Sequence, residues 1–375
     1  MIWAVLTMFA AYFISMAAIV YGFKKIVPFA LETEKSITRF SLIIPFRTEA
    51  ENLPALLESI EKLKYDSELL EIIFVNDASE DISEAIVSEA IKRSRFSIKL
   101  IQNKRISNSP KKDAITEAIK NSTFEWIVTT DADCELPENW LKTLDAFIQK
   151  NNAVMVCGPV IYKSNGSFIE SFQQLDGMSL QAVTIGSFGL NNPLLSNGAN
   201  LAYKKEAFLK VNGFSGNDHI ASGDDIFLLE KMKKIFSGQV LFLKSNEAIV
   251  STKPQKKWKD VINQRIRWAS KTSMQKNTAS MFLGILVFLV NVSWLAIPFL
   301  MVFNPQNLFV YILLLSAKII ADYLVIRQAA VFFTKKIVLL KFLWLPFLYA
   351  MIVLTVVFGS FGGNYSWKGR SFEKQ

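Results

Sequence analysis

Four stretches of this chain are long and apolar enough to cross a bilayer, and they lie at its two ends. Residues 1–23 contain no charged side chain. As a helix rising ~1.5 Å per residue they reach roughly 34 Å, enough to cross a hydrocarbon core. Residues 279–303, about 308–328 and about 337–361 are further runs of spanning length. Hydrophobic residues make up 51% of the chain, a high share for a soluble protein, and the excess lies in these runs. Lipid therefore takes the two ends and leaves the middle to fold in water. Lys24 and Lys25 follow the first run instead of preceding it, which reads as an uncleaved anchor and not a signal peptide.

Charge orients the chain. Residues 1–230 carry 22 basic against 29 acidic side chains, residues 231–278 carry 12 against 2, and residues 279–375 carry 8 against 2. Basic flanks of membrane spans stay on the cytoplasmic side. The expected organisation is a transmembrane anchor at 1–23, a cytosolic domain at 38–278 with an interfacial helix near 255–275, about three spans within 279–361, and a basic tail at 362–375. The protein is thus expected to be a multi-pass integral membrane protein with its folded domain on the cytoplasmic side. One anchor plus three spans leaves the C-terminus outside. Yet Trp367, Lys368, Gly369 and Arg370 read as a cytoplasmic interface anchor, and a re-entrant segment near Pro298 or Pro346 would reconcile the two. Lys318 and Asp322, four residues apart on one helical face, read either as a functional pair within the membrane or as an ion pair turned toward the bundle. Cys134 and Cys157 have no metal-type spacing and read as reduced thiols. The basic stretch 231–278 lies beside a span, which favours lipid headgroups over nucleic acid.

From Phe40 the pattern alternates. Phe40–Pro45, Leu70–Val75, Ile98–Ile101 and the apolar run Phe124–Val128 read as strands. Ala50–Leu63, Ile82–Ile91 and Lys111–Ile119 read as helices, the first from Leu53, Leu56, Leu57, Ile60 and Leu63 on one face. Such alternation predicts an α/β fold whose parallel sheet is covered on both faces, with ligands at the carboxyl ends of the strands. Those ends carry Arg47-Thr48-Glu49, Asp77 and Asp131-Ala132-Asp133. A carboxylate pair one residue apart suits a hard cation shared with substrate phosphates, although a plain polar turn uses the same residues. No glycine-rich dinucleotide or phosphate-loop motif is present, which excludes those two classes.

The motifs Ile44-Pro45-x-Arg47-x-Glu49, Val75-x-Asp77-x-Ser79-x-Asp81, Lys111-x-x-Ala114, Asp131-x-Asp133, Gly198-x-Asn200, Asp224-Asp225-x-x-Leu228 and Gln264-x-x-Arg267-Trp268 follow in that order. Together, over about residues 38–270, they resemble family 2 glycosyltransferases of the GT-A fold, a Rossmann-like nucleotide-sugar domain. The resemblance implies an inverting transfer of a sugar from a nucleotide diphosphate, most often UDP, to a hydroxyl. It implies that Asp77, with Glu49 close by, holds the nucleotide base and that Asp131 holds the ribose or base. Asp133 would bind Mg²⁺ or Mn²⁺, and Lys111 would add charge near the phosphates. Asp225, the second acid of the Asp224-Asp225 pair, would be the catalytic base. A neighbouring carboxylate raises the pKa and makes a better base. The same two acids also suit the start of a helix. Gln264, Arg267 and Trp268 would close over the donor and acceptor, and they fit an amphipathic helix on the membrane surface as well.

Three C-terminal spans suit a single transfer to a lipid in the bilayer, as in ceramide- or carotenoid-type enzymes. A small processive polysaccharide synthase, a nucleotidyltransferase and a non-catalytic membrane scaffold are the alternatives. The single histidine, His219, reads as structural, with contact to an acceptor phosphate as the other reading.

Overall fold

The computed structural model describes residues 2–32, 35–218, 220, 222–272, 277–337, 339–361, 364–367 and 370–373. His219, Lys368 and Gly369 lie outside them. In chain order the elements are α1 (Ile2–Lys25), β1 (Phe40–Phe46), α2 (Leu53–Glu61), β2 (Leu70–Asn76), α3 (Ser83–Arg93), β3 (Ser97–Gln102), α4 (Pro110–Asn121), β4 (Trp126–Thr129), β5 (Cys134–Glu135) and α5 (Trp140–Lys150). Then come β6 (Met155–Cys157), β7 (Val160–Tyr162), α6 (Phe168–Gly189), β8 (Leu201–Lys204), α7 (Lys205–Lys210), α8 (Asp224–Ile235), β9 (Val240–Phe242) and β10 (Val250–Thr252). The chain closes with α9 (Trp258–Thr272), α10 (Thr278–Phe303), α11 (Leu308–Phe332), α12 (Leu339–Phe361), β11 (Asn364–Trp367) and β12 (Arg370–Glu373). They form two compact units. One holds residues 27–163 and 195–253, the other residues 1–26, 164–194 and 254–375.

The first unit is built on a seven-stranded sheet of order β3-β2-β1-β4-β8-β6-β9. Leu42, Ile43 and Ile44 on β1 and Ile72, Ile73 and Phe74 on β2 are fully buried. Such unbroken apolar runs belong to strands covered on both faces. β1, β2, β3 and β4 run parallel, with Phe46 opposite Asn76 and Ile43 opposite Thr129. This register brings the carboxyl ends of β1, β2 and β4 to one edge of the sheet.

The four strands read from the alternation are parallel as expected, and the strands beyond them make the sheet mixed: β8 runs antiparallel to both β4 and β6. The reason is where the chain enters it. The Thr129 hydroxyl at the end of β4 donates to the Gly198 carbonyl at 2.7 Å, and Leu201 pairs with Thr129. A strand that begins at the carboxyl end of its neighbour must run back along it.

The second unit is helical. Among the described residues, four of its helices are long and apolar enough to cross a membrane, at Trp3–Lys25, Thr278–Phe303, Pro305–Phe332 and Phe342–Ser360. α6 belongs to this unit, although its sequence falls between two strands of the sheet. It crosses α1 closely through glycines. A Cβ added at Gly189 would fall 1.9 Å from the Gly22 carbonyl oxygen, and one at Gly186 would fall 2.5 Å from that of Ile19. Lys318 and Asp322 pair at 2.6 Å, with Lys318 1% exposed. The Tyr12 hydroxyl on α1 donates to the other Asp322 oxygen at 2.5 Å, and the Lys318 ammonium sits 5.5 Å from the Trp294 ring centre on α10. Partners from α1, α10 and α11 thus enclose this pair inside the bundle, the arrangement a buried charge requires. Beyond α12, β11 and β12 pair antiparallel.

Candidate active site at the strand ends

The loops after β1 and β2 brace each other. Arg47, 7% exposed, donates from its Nη1 to the Asp77 carbonyl at 2.9 Å and to the Ala78 carbonyl, and pairs with Glu80 at 2.6 Å. The Glu49 N–H donates to the Ser83 hydroxyl at 2.8 Å, and the Ala50 N–H donates to Asp81 at 3.0 Å. The Asn52 amide donates to the Glu49 carboxylate at 2.6 Å. Burial opposes the charge on Asp81, but bonds from Ser83 and Ala50 outweigh it and hold its carboxyl below its usual value. Thr48 and Ala78, at φ 50° and 52°, both adopt the left-handed conformation. For a residue with a Cβ this costs roughly 1–2 kcal/mol, and such strain concentrates at functional loops.

The Asp77 carboxylate, on the loop after β2, is held by a fork. Arg105 donates from Nε and Nη2 to its two oxygens at 3.0 and 3.2 Å, and Asn103 donates to it at 2.8 Å. The residue expected to face a nucleotide base therefore already carries an arginine, and any base that meets it meets Arg105 as well.

The loop after β4 and the start of α8 meet over α4. The Lys111 ammonium on α4 lies 2.7 Å from Asp131 and 3.1 Å from Asp224. Burial disfavours its charge, but Asp131 and Asp224, and then Asp225, more than offset this and hold it above the ordinary lysine value. Lys111 is therefore not a freely solvated side chain, and its neighbour Lys112 is not solvated either. Lys112, 1% exposed, donates to the carbonyls of Asn217 and Ile220 at 2.5 and 2.9 Å and lies over the Phe227 ring. It ties α4 to the segment that leads into α8. α8 begins after Gly223, whose φ of 83° requires glycine. Its first turn bears Asp224 and Asp225, where the helix dipole favours acids. Asp225 accepts from its neighbour Ile226 N–H at 2.8 Å and from Gly198 N–H at 3.3 Å.

Gly198 is fitted against this cluster: a Cβ there would fall 2.8 Å from Asp224 and 3.2 Å from Lys111. Asn200 turns the other way. Buried, it accepts from the Trp140 indole at 3.0 Å and donates to the carbonyls of Pro159 and Ala248 at 2.9 and 2.8 Å. It pins the strands behind the site.

Asp133 is half-buried, and the Cys134 thiol donates to it at 3.7 Å. Both cysteines are buried and unbridged, and burial pushes both thiols up. Among the described residues, no three His, Cys, Asp or Glu side chains are grouped to hold a metal. Asp131 is engaged by Lys111, and Asp133, the residue expected to bind a cation, lies two positions along the same loop. One carboxylate fits a Mg²⁺ or Mn²⁺ that completes its shell with ligand phosphates and water, and does not fit an all-protein cage.

The fold thus gathers Lys111, Asp131, Asp224 and Asp225 around Gly198, with Asp133 two residues along the same loop, and puts Glu49 and Asp77 on the adjoining loops. Gln264, Arg267 and Trp268 are half-buried on α9, in the helical unit. Sequence reasoning missed Arg105 and Lys112. Arg105 follows the end of β3 by three residues, a detectable signal; Lys112 offered none.

Known proteins bear on this geometry. The model of glycosyl transferase family 2 matches residues 41–211. A mannosyltransferase from Pyrobaculum calidifontis, solved with GDP-Man and Mn²⁺, is similar over 95% of this chain and 97% of its own, at a TM-score of 0.59 and 18% identity. That likeness shows the GT-A fold. The undecaprenyl-phosphate 4-deoxy-4-formamido-L-arabinose transferase of Proteus mirabilis is 29% identical over 127 residues, 33% of this chain and 38% of that protein. An uncharacterized protein of Methanocaldococcus jannaschii is 29% identical over 125 residues, 32% of this chain and 52% of that one. The chain therefore matches about half or less of these relatives' length. The family match covers residues 41–211, which include Glu49, Asp77, Lys111, Asp131 and Asp133 of the crevice, while Asp224 and Asp225 lie beyond it.

Proposed function

We propose that this protein transfers a sugar, with inversion, from a nucleotide-diphosphate sugar to a lipid or lipid-linked acceptor in the membrane. The observation that carries the reading is the cluster of Lys111, Asp131, Asp224 and Asp225 at the strand ends, in a chain with four helices of spanning length. On this reading, Asp77 with Arg105 and Glu49 receive the base, and Asp131 receives the ribose. Asp133 would hold Mg²⁺ or Mn²⁺, which would supply positive charge against the diphosphate leaving group. Lys111 adds its positive charge beside the same phosphates. Asp225 takes the proton of the acceptor hydroxyl as the oxygen bonds to the anomeric carbon and the bond to the diphosphate breaks. Gln264, Arg267 and Trp268 engage the donor diphosphate and the acceptor; Arg267 can grip phosphate with its fork. The basic residues of 231–278 and the pair Lys24 and Lys25 support a cytoplasmic placement of the domain on this reading.

The name of the Proteus mirabilis relative adds a second form of acceptor, a lipid phosphate. A phosphate oxygen is already ionised at neutral pH and needs no base. Asp225→Asn separates the two: it abolishes transfer to a hydroxyl and spares transfer to a phosphate.

The test is release of nucleotide by the purified full chain in detergent. UDP- and GDP-sugars are screened with Mn²⁺ or Mg²⁺, with and without membrane lipid, for wild type, Asp133→Ala and Asp225→Asn. Lipid-stimulated, metal-dependent release that Asp133→Ala loses supports the proposal. A long polymer as product would favour a processive synthase, and no release with any donor would favour a scaffold.

A further inference from the structure

Within the motif on α9, a fourth side chain has surroundings unlike those of Gln264, Arg267 and Trp268. Arg265 is 9% exposed and forms an ion pair with Asp176 of α6, itself 5% exposed. Its Nη1 donates to the Gln264 Oε1 at 3.3 Å, and its guanidinium carbon lies 4.2 Å from the Trp268 ring centre. One buried cation thus touches two residues of the motif and is fixed by an acid from another helix.

α6 also holds the segment leading into α9 and the first residue of α9. Gln173, fully buried, donates to the Gln255 carbonyl at 2.9 Å and accepts from the Gln255 N–H at 2.8 Å. Phe168 and Phe172 pack on Trp258 at 6.2 and 5.4 Å between ring centres. The approach to α9, its first residue and its middle are all held by successive turns of α6.

We propose that Asp176 is a positioning residue for the transfer reaction: through Arg265 it sets the orientation of Gln264 and Trp268. This rests on the function proposed above. A guanidinium is planar, with donors in a rigid fork, so fixing one edge of it fixes the face it stacks and the amide it bonds. A purely structural pair would stabilise the protein and leave the turnover of folded molecules untouched.

The experiment uses the purified full chain in detergent, with Asp176→Asn, Asp176→Glu and Arg265→Lys. Three quantities are read. They are the thermal midpoint, kcat and donor KM with membrane lipid as acceptor, and the near-ultraviolet dichroism of Trp268, taken as the difference from the same protein carrying Trp268→Phe. Asp176→Asn is expected to lower kcat 10- to 100-fold, leave donor KM within threefold, and remove at least half of the Trp268 signal. Asp176→Glu is expected to recover most of both. Full kcat per folded molecule with an unchanged Trp268 signal would overturn the proposal, as would a loss of activity that merely follows the unfolded fraction. If Asp176→Asn does not fold, Arg265→Lys decides, because it keeps the charge and removes the fork; wild-type kcat and Trp268 signal in that variant would sink the idea. If the wild type transfers no sugar, the proposed function fails, and the Trp268 signal still judges the positioning.

Discussion

Glu71 at the amino end of the parallel strands and the acids at their carboxyl end are held in different ways. At the amino end of β2, Glu71 is 3% exposed and accepts from the Ser41 hydroxyl, the Thr123 N–H and hydroxyl, and the Lys99 ammonium at 2.6–2.9 Å. Burial works against its charge, yet those donors hold its pKa down to about 2. At the carboxyl end, Asp131 has a side chain 36% exposed and shares a single lysine with Asp224. Glu71 is completed by the protein around it. The crevice acids Asp131 and Asp224 are arranged about a cation they divide between them, beside the loops after β1 and β2 that carry the strained Thr48 and Ala78.

Four measurements would break or sharpen this contrast. The largest effect is expected from Asp133→Ala and, for a hydroxyl acceptor, Asp225→Asn. Each should cut the initial rate by about 10³-fold while the protein stays folded, whereas Glu71→Gln should leave the rate of folded molecules within about threefold. A Glu71→Gln protein that is folded and inactive would end the comparison. Lys111→Met comes next. It leaves Asp131 and Asp224 without their shared cation, and should lower turnover by about 10²-fold with a raised donor KM in steady-state assays.

Glu71→Gln supplies the third, through stability. A carboxyl with a folded-state value of about 2 against an ordinary 4.5 stabilises the fold fully above about pH 4.5 and loses that contribution as pH falls toward 2. Discounting for the solvent at half-exposed Lys99, we expect roughly 2 kcal/mol at neutral pH. Thermal midpoints of wild type and Glu71→Gln should therefore differ most at pH 6–7, as bench conditions for roughly full effect, and converge in acid. A gap that widens in acid would contradict this sign. The smallest effect belongs to Gly198→Ala. Its Cβ would press on Asp224 from 2.8 Å, and because a side chain can yield, a fall in rate of about tenfold or less with little change in midpoint is expected.

Much of this was legible in the sequence because it obeys local rules. The buried runs of β1 and β2, the helix face of Leu53, Leu56 and Ile60, and the acids at strand ends all follow from periodicity and turn chemistry. The four apolar helices follow from length and composition. What was hidden depends on tertiary closure. The direction of β8 is set by where Gly198 meets Thr129, which no periodicity encodes. Thr48 and Ala78 adopt a conformation that glycine would have advertised and they do not. Lys112 looks like any surface lysine until the carbonyls of Asn217 and Ile220 close over it. The segment 164–194, read as part of a 38–278 domain, joins the helical unit in the structure. Its buried Gln173, Asp176, Gln181 and Thr184 give it neither the hydropathy of a span nor the stripe of a surface helix.

The glycine crossing of α1 and α6 also fixes an order of events during synthesis. Gly22 is made early, but the residues it packs against, Gly186 and Gly189, emerge about 160 residues later, a wait on the order of ten to thirty seconds at ribosomal rates of roughly 5–20 residues per second. Over that interval α1 has its small-residue face uncovered while the strands between them are still being made. A nascent chain of this kind depends on whatever shields that face in the meantime, and removing α1 to obtain a soluble protein would leave α6 permanently in the condition α1 passes through only once.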